Sequence, residues 1–348
     1  MYLRVSAVLA CCLATVTAAA PSAFAGDVSP VCGTTVTTDL VLHKDLTCVG
    51  TALRFVVTGG ATLHIDLNGH RLKGDGTGVG IESMSSEVNP GNLEVTDGSI
   101  VNFAAALLGT QRPRSVTNLN ISDVRMAKNG TWLPKQVRRA VTITDSTIVN
   151  SGIGGAYTDS ASLTVRNSRF VDSSIWSSSE SFNYLYDSSF TGGGFYAGPS
   201  SNVVAIGNMF SHCDIGIELS DFWPKAPTTV EDNVFNECKT GVVFGGMGGP
   251  VSVQRNIFLD NTGPGMTFTS LPFLNATISG NKFLRNAGDG IVGSGVTPSV
   301  PASVVVVSGN RAYENTGHGI NVSNISDGGN NRARRNETPA QCVGVACP

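Results

Sequence analysis

Apolar and polar positions along this chain alternate in short runs, and one short phrase recurs throughout. Between residues 97 and 312 each copy usually has an acidic or small residue, then Asn or Ser, one variable position and an apolar residue. The apolar anchors recur about every 20 to 29 residues, a period typical of a solenoid whose repeats stack on one another. The copies begin at Asp97, Asp123, Asp145, Asn167, Asp187, Gly207, Asp232, Arg255, Gly280 and Gly309.

Each repeat also holds two or three apolar or β-branched runs, such as Asn202–Ile206 and Gly216–Leu219, split by Gly, Asn, Asp and Ser. Short runs bounded by turn residues predict strands. Helical periodicity nowhere persists over three turns beyond the N-terminal segment, and the 41 glycines disfavour helices. Three strands and three turns in about 23 residues predict one coil of a parallel β-helix.

Stacked coils lie about 4.8 Å apart, so the same position in successive coils should contact itself. The Asn of the phrase predicts a column of stacked amides in tight turns, and the anchor two residues later predicts a column of buried rings. A structural role is favoured for both columns over a cofactor role. The first column comprises Ser146, Ser168, Ser188, Asn208, Asn233, Asn256, Asn281 and Asn310, and the second comprises Phe170, Phe190, Phe210, Phe235, Phe258 and Phe283.

With its repeat written N-x-F…G-I-x-[LV], the chain resembles right-handed parallel β-helix proteins of the pectate-lyase-like superfamily. The segments 32–48 and 65–74 are similar to the first coils of secreted, mostly uncharacterised members. The resemblance covers about residues 30 to 345. It implies an all-β fold, a single-stranded right-handed parallel β-helix (a solenoid) of roughly ten to twelve coils. We expect an N-terminal cap over 26–60, the β-helix over 61–335 and a C-terminal cap over 336–348.

The superfamily contains lyases, hydrolases, epimerases and non-enzymes, so the resemblance implies the fold and leaves the chemistry open.

Residues 1–25 are predicted to be a signal peptide. Arg4 precedes an apolar stretch from Val5 to Ala20, and Ala23-Phe24-Ala25 is a small-x-small cleavage pattern. A lipoprotein anchor at Cys11 is the alternative. The stretch is too short and too rich in alanine for a membrane span. We therefore expect a secreted, extracellular protein that does not associate with membranes.

The cysteines predict disulfides, because removal of the signal peptide would leave six in an oxidising compartment. Cys213 and Cys238 each follow a phenylalanine anchor by three residues, which places them in the same register of adjacent coils. Cys32 with Cys48 and Cys342 with Cys347 would pin the two open ends of the solenoid.

Charge excludes one class of function. The formal net charge is −3 and only 14% of residues are charged, which argues against an electrostatically driven nucleic-acid binder.

Candidate binding residues come from counting six residues past the apolar anchor, onto the G-I-x-L strand. In the superfamily that strand lies along the substrate groove. The count reaches Trp132, Gly154, Trp176 and Tyr196 in four consecutive coils, and strand alternation turns them outward if their neighbours point inward. Gly154 would leave a slot about two coils wide between two tryptophans. The predicted substrate-binding residues are Trp132, Gly154, Tyr157, Trp176, Tyr196 and Trp223.

Candidate catalytic residues cluster in the loops that leave this strand. They are Lys135, Arg138, Arg139, Asp159, Glu180 and Asp221, and Glu218 on the strand itself completes the set. A β-elimination on a uronate needs a base for the C5 proton and a cation to neutralise the carboxylate. Lys or Arg can supply the base, and a carboxylate-bound Ca²⁺ can supply the cation. The predicted metal ligands are Asp159, Glu180 and Asp221. Ordinary solvated loop charges are the alternative for each residue.

Several functions remain open at this point. The sequence favours a polysaccharide lyase or epimerase that acts on extracellular, uronate-containing polysaccharide. We expect the protein to be a monomer and to bind no nucleic acid. A hydrolase would need two carboxylates at a defined separation, and Glu218 with Asp221 is the available pair. A non-catalytic glycan-binding protein is the second hypothesis, since no complete catalytic signature is present. The third is an isomerase or cyclase that binds a hydrophobic small molecule in the aromatic slot.

Overall fold

The computed structural model describes residues 30–85, 89–108, 116–130, 137–151, 153–154, 162–177, 180–220, 227–245, 250–269, 275–294 and 304–348. All regular elements in these ranges are β-strands, and every pairing between named strands is parallel. The expected all-β, parallel solenoid is confirmed. Each full coil contributes one strand to each of three sheets.

The first sheet contains β2 (Leu40–Val41), β5 (Thr62–Asp66), β8 (Asn92–Val101), β10 (Val116–Ala127), β11 (Val137–Thr144), β14 (Ser162–Arg166), β17 (Phe182–Tyr186), β20 (Asn202–Ile206), β23 (Thr228–Glu231), β26 (Pro250–Gln254), β29 (Asn275–Ser279), β32 (Val305–Ser308) and β35 (Ser326–Gly329). Strands β8 and β10 continue without a break into the second sheet.

The second sheet otherwise contains β3 (Leu46–Thr47), β6 (Arg71–Lys73), β12 (Thr147–Val149), β15 (Arg169–Val171), β18 (Ser189–Thr191), β21 (Met209–Ser211), β24 (Val234–Asn236), β27 (Ile257–Leu259), β30 (Lys282–Leu284), β33 (Arg311–Tyr313) and β36 (Arg332–Arg334).

The third sheet has two described parts. The first part contains β1 (Thr34–Val36), β4 (Leu53–Phe55), β7 (Val79–Ser83) and β9 (Ala105–Leu108). The second contains β13 (Ile153–Gly154), β16 (Ile175–Trp176), β19 (Phe195–Ala197), β22 (Ile215–Ser220), β25 (Thr240–Gly245), β28 (Met266–Thr269), β31 (Ile291–Ser294), β34 (Ile320–Ser323) and β37 (Cys342–Val343).

The phenylalanine column is confirmed as the core of the second sheet. Phe190, Phe210 and Phe235 pair in register in successive coils and are fully buried. Ring centroids of neighbouring members, from Phe170 to Phe283, lie 4.6–5.1 Å apart, and the rings are nearly parallel. The ring spacing matches the spacing of stacked strands, so one residue type at one repeat position builds a continuous apolar stack.

The asparagine column is confirmed as well. Asn256 is fully buried, and its Nδ2 donates to the carbonyl oxygen of Val230 at 2.9 Å and to Oδ1 of Asn281 at 3.0 Å. Its own Oδ1 accepts from the backbone and side-chain nitrogens of Asn233 at 2.9 and 3.0 Å. The same pattern links Asn208 to Asn310, and serines continue the column toward the N-terminus. Each amide thereby satisfies buried polar groups of two coils.

A second asparagine column was not predicted. Asn261, Asn286, Asn315 and Asn336 repeat the same amide-to-amide bonds at the turn after the second sheet. The sequence signal was a second Asn five positions after the first, as in Asn256 and Asn261.

All three predicted disulfides are confirmed. They join Cys32 to Cys48, Cys213 to Cys238 and Cys342 to Cys347. The Cα atoms of Cys213 and Cys238 are 4.4 Å apart, in adjacent coils as the register predicted.

The strands at both ends of the solenoid pair in the same way as the strands in its middle. Strands β1, β2 and β3 already pair with β4, β5 and β6 of the next coil, and β37 pairs with β34. The predicted signal peptide lies outside the described residues. Within the described residues, no helix has the length and apolar character that crossing a membrane requires.

Candidate functional site

The outward side of the third sheet carries one column that combines aromatic and acidic side chains. Register pairs Gly154 with Trp176, Trp176 with Tyr196 and Tyr196 with Glu218. The residues just before them on β16, β19 and β22 are fully buried in the core: Ile175, Phe195 and Ile217. Because side chains alternate along a strand, the column faces away from the core.

Trp176 and Tyr196 form a stacked pair in this column. Their ring centroids are 4.1 Å apart with an interplanar angle of 10°, and Trp176 is 54% exposed. The planes of rings that stack between adjacent coils are roughly perpendicular to the solenoid axis. Tyr196 therefore covers one face of Trp176. The opposite face points toward the preceding coil, where the residue paired with Trp176 is Gly154 and has no side chain. The structure therefore leaves one broad indole face open above a glycine.

Tyr196 is held in its protonated form. Partial burial raises the pKa of its phenol, and the negative charges of Asp214 and Glu218 raise that pKa further, while a hydrogen bond with Ser174 opposes the shift. A phenol with a raised pKa stays protonated at neutral pH, so it can donate a hydrogen bond or a proton but is a poor base. Glu218 lies in the next coil and is half-buried.

Two members of this group were missed by the sequence reasoning. Asp214 is exposed just before β22, and Ser174 is half-buried two residues before Trp176. Side chains two residues apart on a strand lie on the same side, so Ser174 lies on the side of Trp176. This two-residue period could have identified Ser174 from the sequence. Asp214 offered no comparable signal, because its influence on Tyr196 depends on how neighbouring coils stack.

The structure places the other described candidates elsewhere. Arg138 and Arg139 are exposed at the beginning of β11, in the first sheet. Glu180 lies in the turn before β17, where its backbone N–H donates to the carbonyl oxygen of Pro199. The remaining predicted site residues lie outside the described residues: Trp132, Lys135, Tyr157, Asp159, Asp221 and Trp223. The column therefore brings together Gly154, Trp176, Tyr196 and Glu218.

The predicted calcium site stays a prediction. No group of three or more His, Cys, Asp or Glu side chains within the described residues is placed to hold a metal ion. Two of the three predicted ligands, Asp159 and Asp221, are outside that part of the chain.

Parallel strands, three sheets and continuous side-chain columns define the chain as a parallel β-helix repeat protein. The sequence model of the family described as the right handed beta helix region matches residues 115–273, in agreement with the resemblance noted above. No curated protein matches the chain.

Solved structures that match the chain include a double mutant of the periplasmic alginate epimerase AlgG. The sequence identity is 13% and the TM-score is 0.42, and the match covers 86% of this chain and 78% of that one. The catalytic unit of the thermostable GH87 α-1,3-glucanase from Streptomyces thermodiastaticus has 14% identity, a TM-score of 0.34 and coverage of 85% and 62%. The A-module of the Azotobacter vinelandii mannuronan C-5 epimerase AlgE6 has 14% identity, a TM-score of 0.33 and coverage of 91% of both chains.

Proposed function

We propose that the protein is exported and binds a polysaccharide on the third sheet, where it acts as a lyase or epimerase on uronate units. The observation that carries this proposal is the open face of Trp176 above Gly154, with Tyr196 and Glu218 next in the same column. Three disulfides are consistent with an oxidising compartment.

The indole face supports sugar binding because the axial hydrogens of a pyranose present a flat apolar surface. An exposed aromatic ring is costly to leave in water, and a sugar face laid on it removes apolar area from solvent. Tyr196 holds the indole in one orientation by stacking on its other face. The binding surface is thus ordered before the ligand arrives, which lowers the entropic cost of binding.

The chemistry needs a base and a proton donor on the same surface. Glu218 takes the C5 proton of the bound uronate, and Tyr196 remains protonated and supplies a proton. In an elimination the C4–O bond breaks, a C4=C5 double bond forms and the leaving oxygen receives the proton. In an epimerisation a proton returns to C5 from the opposite side. Lys135 would neutralise the uronate carboxylate, and Asp159 with Asp221 would hold a Ca²⁺ that adds positive charge there; Arg138, Arg139 and Glu180 lie away from the column.

Replacing Trp176 by Ala is expected to weaken binding of the preferred polysaccharide about tenfold, a loss of about 1.4 kcal/mol. Isothermal titration against a panel of acidic and neutral polysaccharides measures it. Tyr184→Ala is the matched control, because Tyr184 is a half-buried aromatic on the first sheet. Equal affinities of the two variants would contradict the proposed surface. Tight binding of apolar metabolites with indifference to sugars would favour the small-molecule hypothesis instead.

Replacing Glu218 by Gln is expected to reduce turnover by about 10²- to 10⁴-fold while leaving binding nearly unchanged, because the amide keeps the shape and loses the base. The assay follows unsaturated uronate by ultraviolet absorption and C5 configuration by proton NMR, with and without Ca²⁺. A wild-type protein that binds glycans but neither cleaves nor epimerises them would refute the enzymatic half and select the non-catalytic glycan-binding alternative.

A further inference from the structure

The second sheet carries a different outward column, on another face of the solenoid from Trp176. In each of its strands the middle residue is a buried core residue, as with Leu72, Ile100 and Met126. The residue before it therefore faces solvent. Register in six successive coils aligns these outward residues, which from the N-terminal side are Arg71, Ser99, Arg125, Thr147, Arg169 and Ser189.

Cations and hydroxyls alternate strictly along this row. The three arginines are exposed, and the two hydroxyl residues between them, Ser99 and Thr147, are half-buried. Because coils are about 4.8 Å apart, the arginines repeat about every 10 Å. Lys73 and Lys128, both exposed, add positive charge beside the first two arginines, where a cavity of about 450 Å³ opens.

The cations of the row differ from three other arginines of the molecule in lacking acidic partners. Arg255, Arg285 and Arg335 each pair with a carboxylate of a neighbouring coil. Neither the three arginines of the row nor Lys73 and Lys128 beside it form an ion pair with a carboxylate among the residues that the structure describes. Their positive charge is therefore open to an external anion.

Acidic groups border the row without neutralising it. Asp97 and Asp123 lie within β8 and β10, just before the second-sheet part of each strand, and Asp145 lies just before β12; all three are exposed and have positive φ. Asp45, at the N-terminal end, accepts from the backbone N–H of Arg71 at 3.0 Å and lies 3.4 Å from a ring nitrogen of His70. Because these carboxylates repel an anion on that side, a bound anion is confined to the strip above the strands.

We propose that this row is a second glycan-binding face, specific for a linear polysaccharide in which charged and uncharged sugars alternate. An extended pyranose unit is about as long as one coil spacing, so a chain lying along the solenoid axis presents one unit to each coil. Charged units then meet Arg71, Arg125 and Arg169, and neutral units meet the hydroxyls of Ser99 and Thr147. The face binds without turnover and does not require the Trp176 column.

The test measures binding of the exported chain to hyaluronan, a polymer in which every second sugar is a uronate. Polygalacturonate, in which every unit is charged, dextran and duplex DNA are the comparison ligands. Arg71, Arg125 and Arg169 are replaced together by Ser. The matched control replaces Lys282, Arg311 and Arg332 by Ser, since these residues occupy the same repeat position at the other end of the sheet and are equally exposed.

We expect the first triple variant to bind hyaluronan about 10- to 100-fold more weakly than wild type, and the control triple to change the affinity less than about threefold. The loss of affinity in the first triple variant should be larger for hyaluronan than for each comparison ligand. The first triple variant should keep the wild-type turnover of uronate polysaccharide on the third sheet, which separates this face from the proposed catalytic column.

Equal losses in the two triple variants would show a general charge effect and overturn the proposal. Absence of hyaluronan binding, or an equal or larger loss of polygalacturonate or DNA binding in the first triple variant, would overturn it too. Circular dichroism and the melting temperature confirm that both variants fold, and the exposed positions of all six residues favour this.

Discussion

Replacing Phe210 by Ala is expected to lower the free energy of unfolding by about 3 to 5 kcal/mol. The ring is fully buried and stacks on Phe190 at 4.7 Å and on Phe235 at 5.1 Å. Removing it deletes apolar contacts and leaves a cavity between two rings. The strand backbones on either side stay hydrogen-bonded at their own spacing, so the neighbouring rings cannot close the gap.

Urea denaturation monitored by circular dichroism measures the effect. Met209→Ala is the control, because Met209 precedes Phe210 on the same strand, is 47% exposed and faces solvent. It should change the free energy of unfolding by less than about 0.5 kcal/mol. A Phe210→Ala loss below about 1 kcal/mol would contradict the idea that the ring column holds successive coils together.

Replacing Asn256 by Asp is expected to destabilise the protein by about 3 kcal/mol or more at neutral pH, although the two side chains have nearly the same shape. The amide donates to Val230 and to Asn281, and an ionised carboxylate has no proton to donate. Both bonds become contacts between oxygens in a fully buried site. Burial and these acceptors raise the pKa of the introduced carboxyl.

The pH dependence tests the cause of this loss. Because the folded-state pKa is raised, the variant is most destabilised above that pKa and recovers as the pH falls toward the unfolded value of about 3.9, where the carboxyl is protonated and donates again. Asn150→Asp, at an exposed turn position, is the control and should show no such recovery. A loss at Asn256 independent of pH would rule out this explanation.

Repetition made these structural columns predictable. One position of a repeat lies above the same position of the next, so the spacing of Phe190, Phe210 and Phe235 along the chain was enough to infer a ring stack. Cys213 and Cys238 followed from the same argument. The second asparagine column, at the turn after the second sheet, obeys the same rule through an Asn five positions after the first.

The candidate site was predictable only in part. Gly154, Trp176 and Tyr196 each follow their apolar anchor by six residues, and the structure aligns them with Glu218, which follows Phe210 by eight. Arg138 and Arg139 belong to another sheet, and the influence of Asp214 on Tyr196 crosses between coils. Loops between the third and first sheets differ in length from coil to coil. The repeat carries no information about them, so their side chains cannot be assigned by counting.

The amino-acid sequence alone determined the parallel solenoid, its two predicted core columns and its disulfides, because each depends on a pattern that recurs once per coil. Tertiary structure alone decided that Tyr196 stacks on Trp176 and is flanked by two carboxylates, and that three arginines alternate with hydroxyls on a separate face. These features depend on the exact register of neighbouring coils and on which side each strand turns to solvent. Register and facing are set by hydrogen bonding between segments distant in the chain, and only the folded molecule brings those segments together.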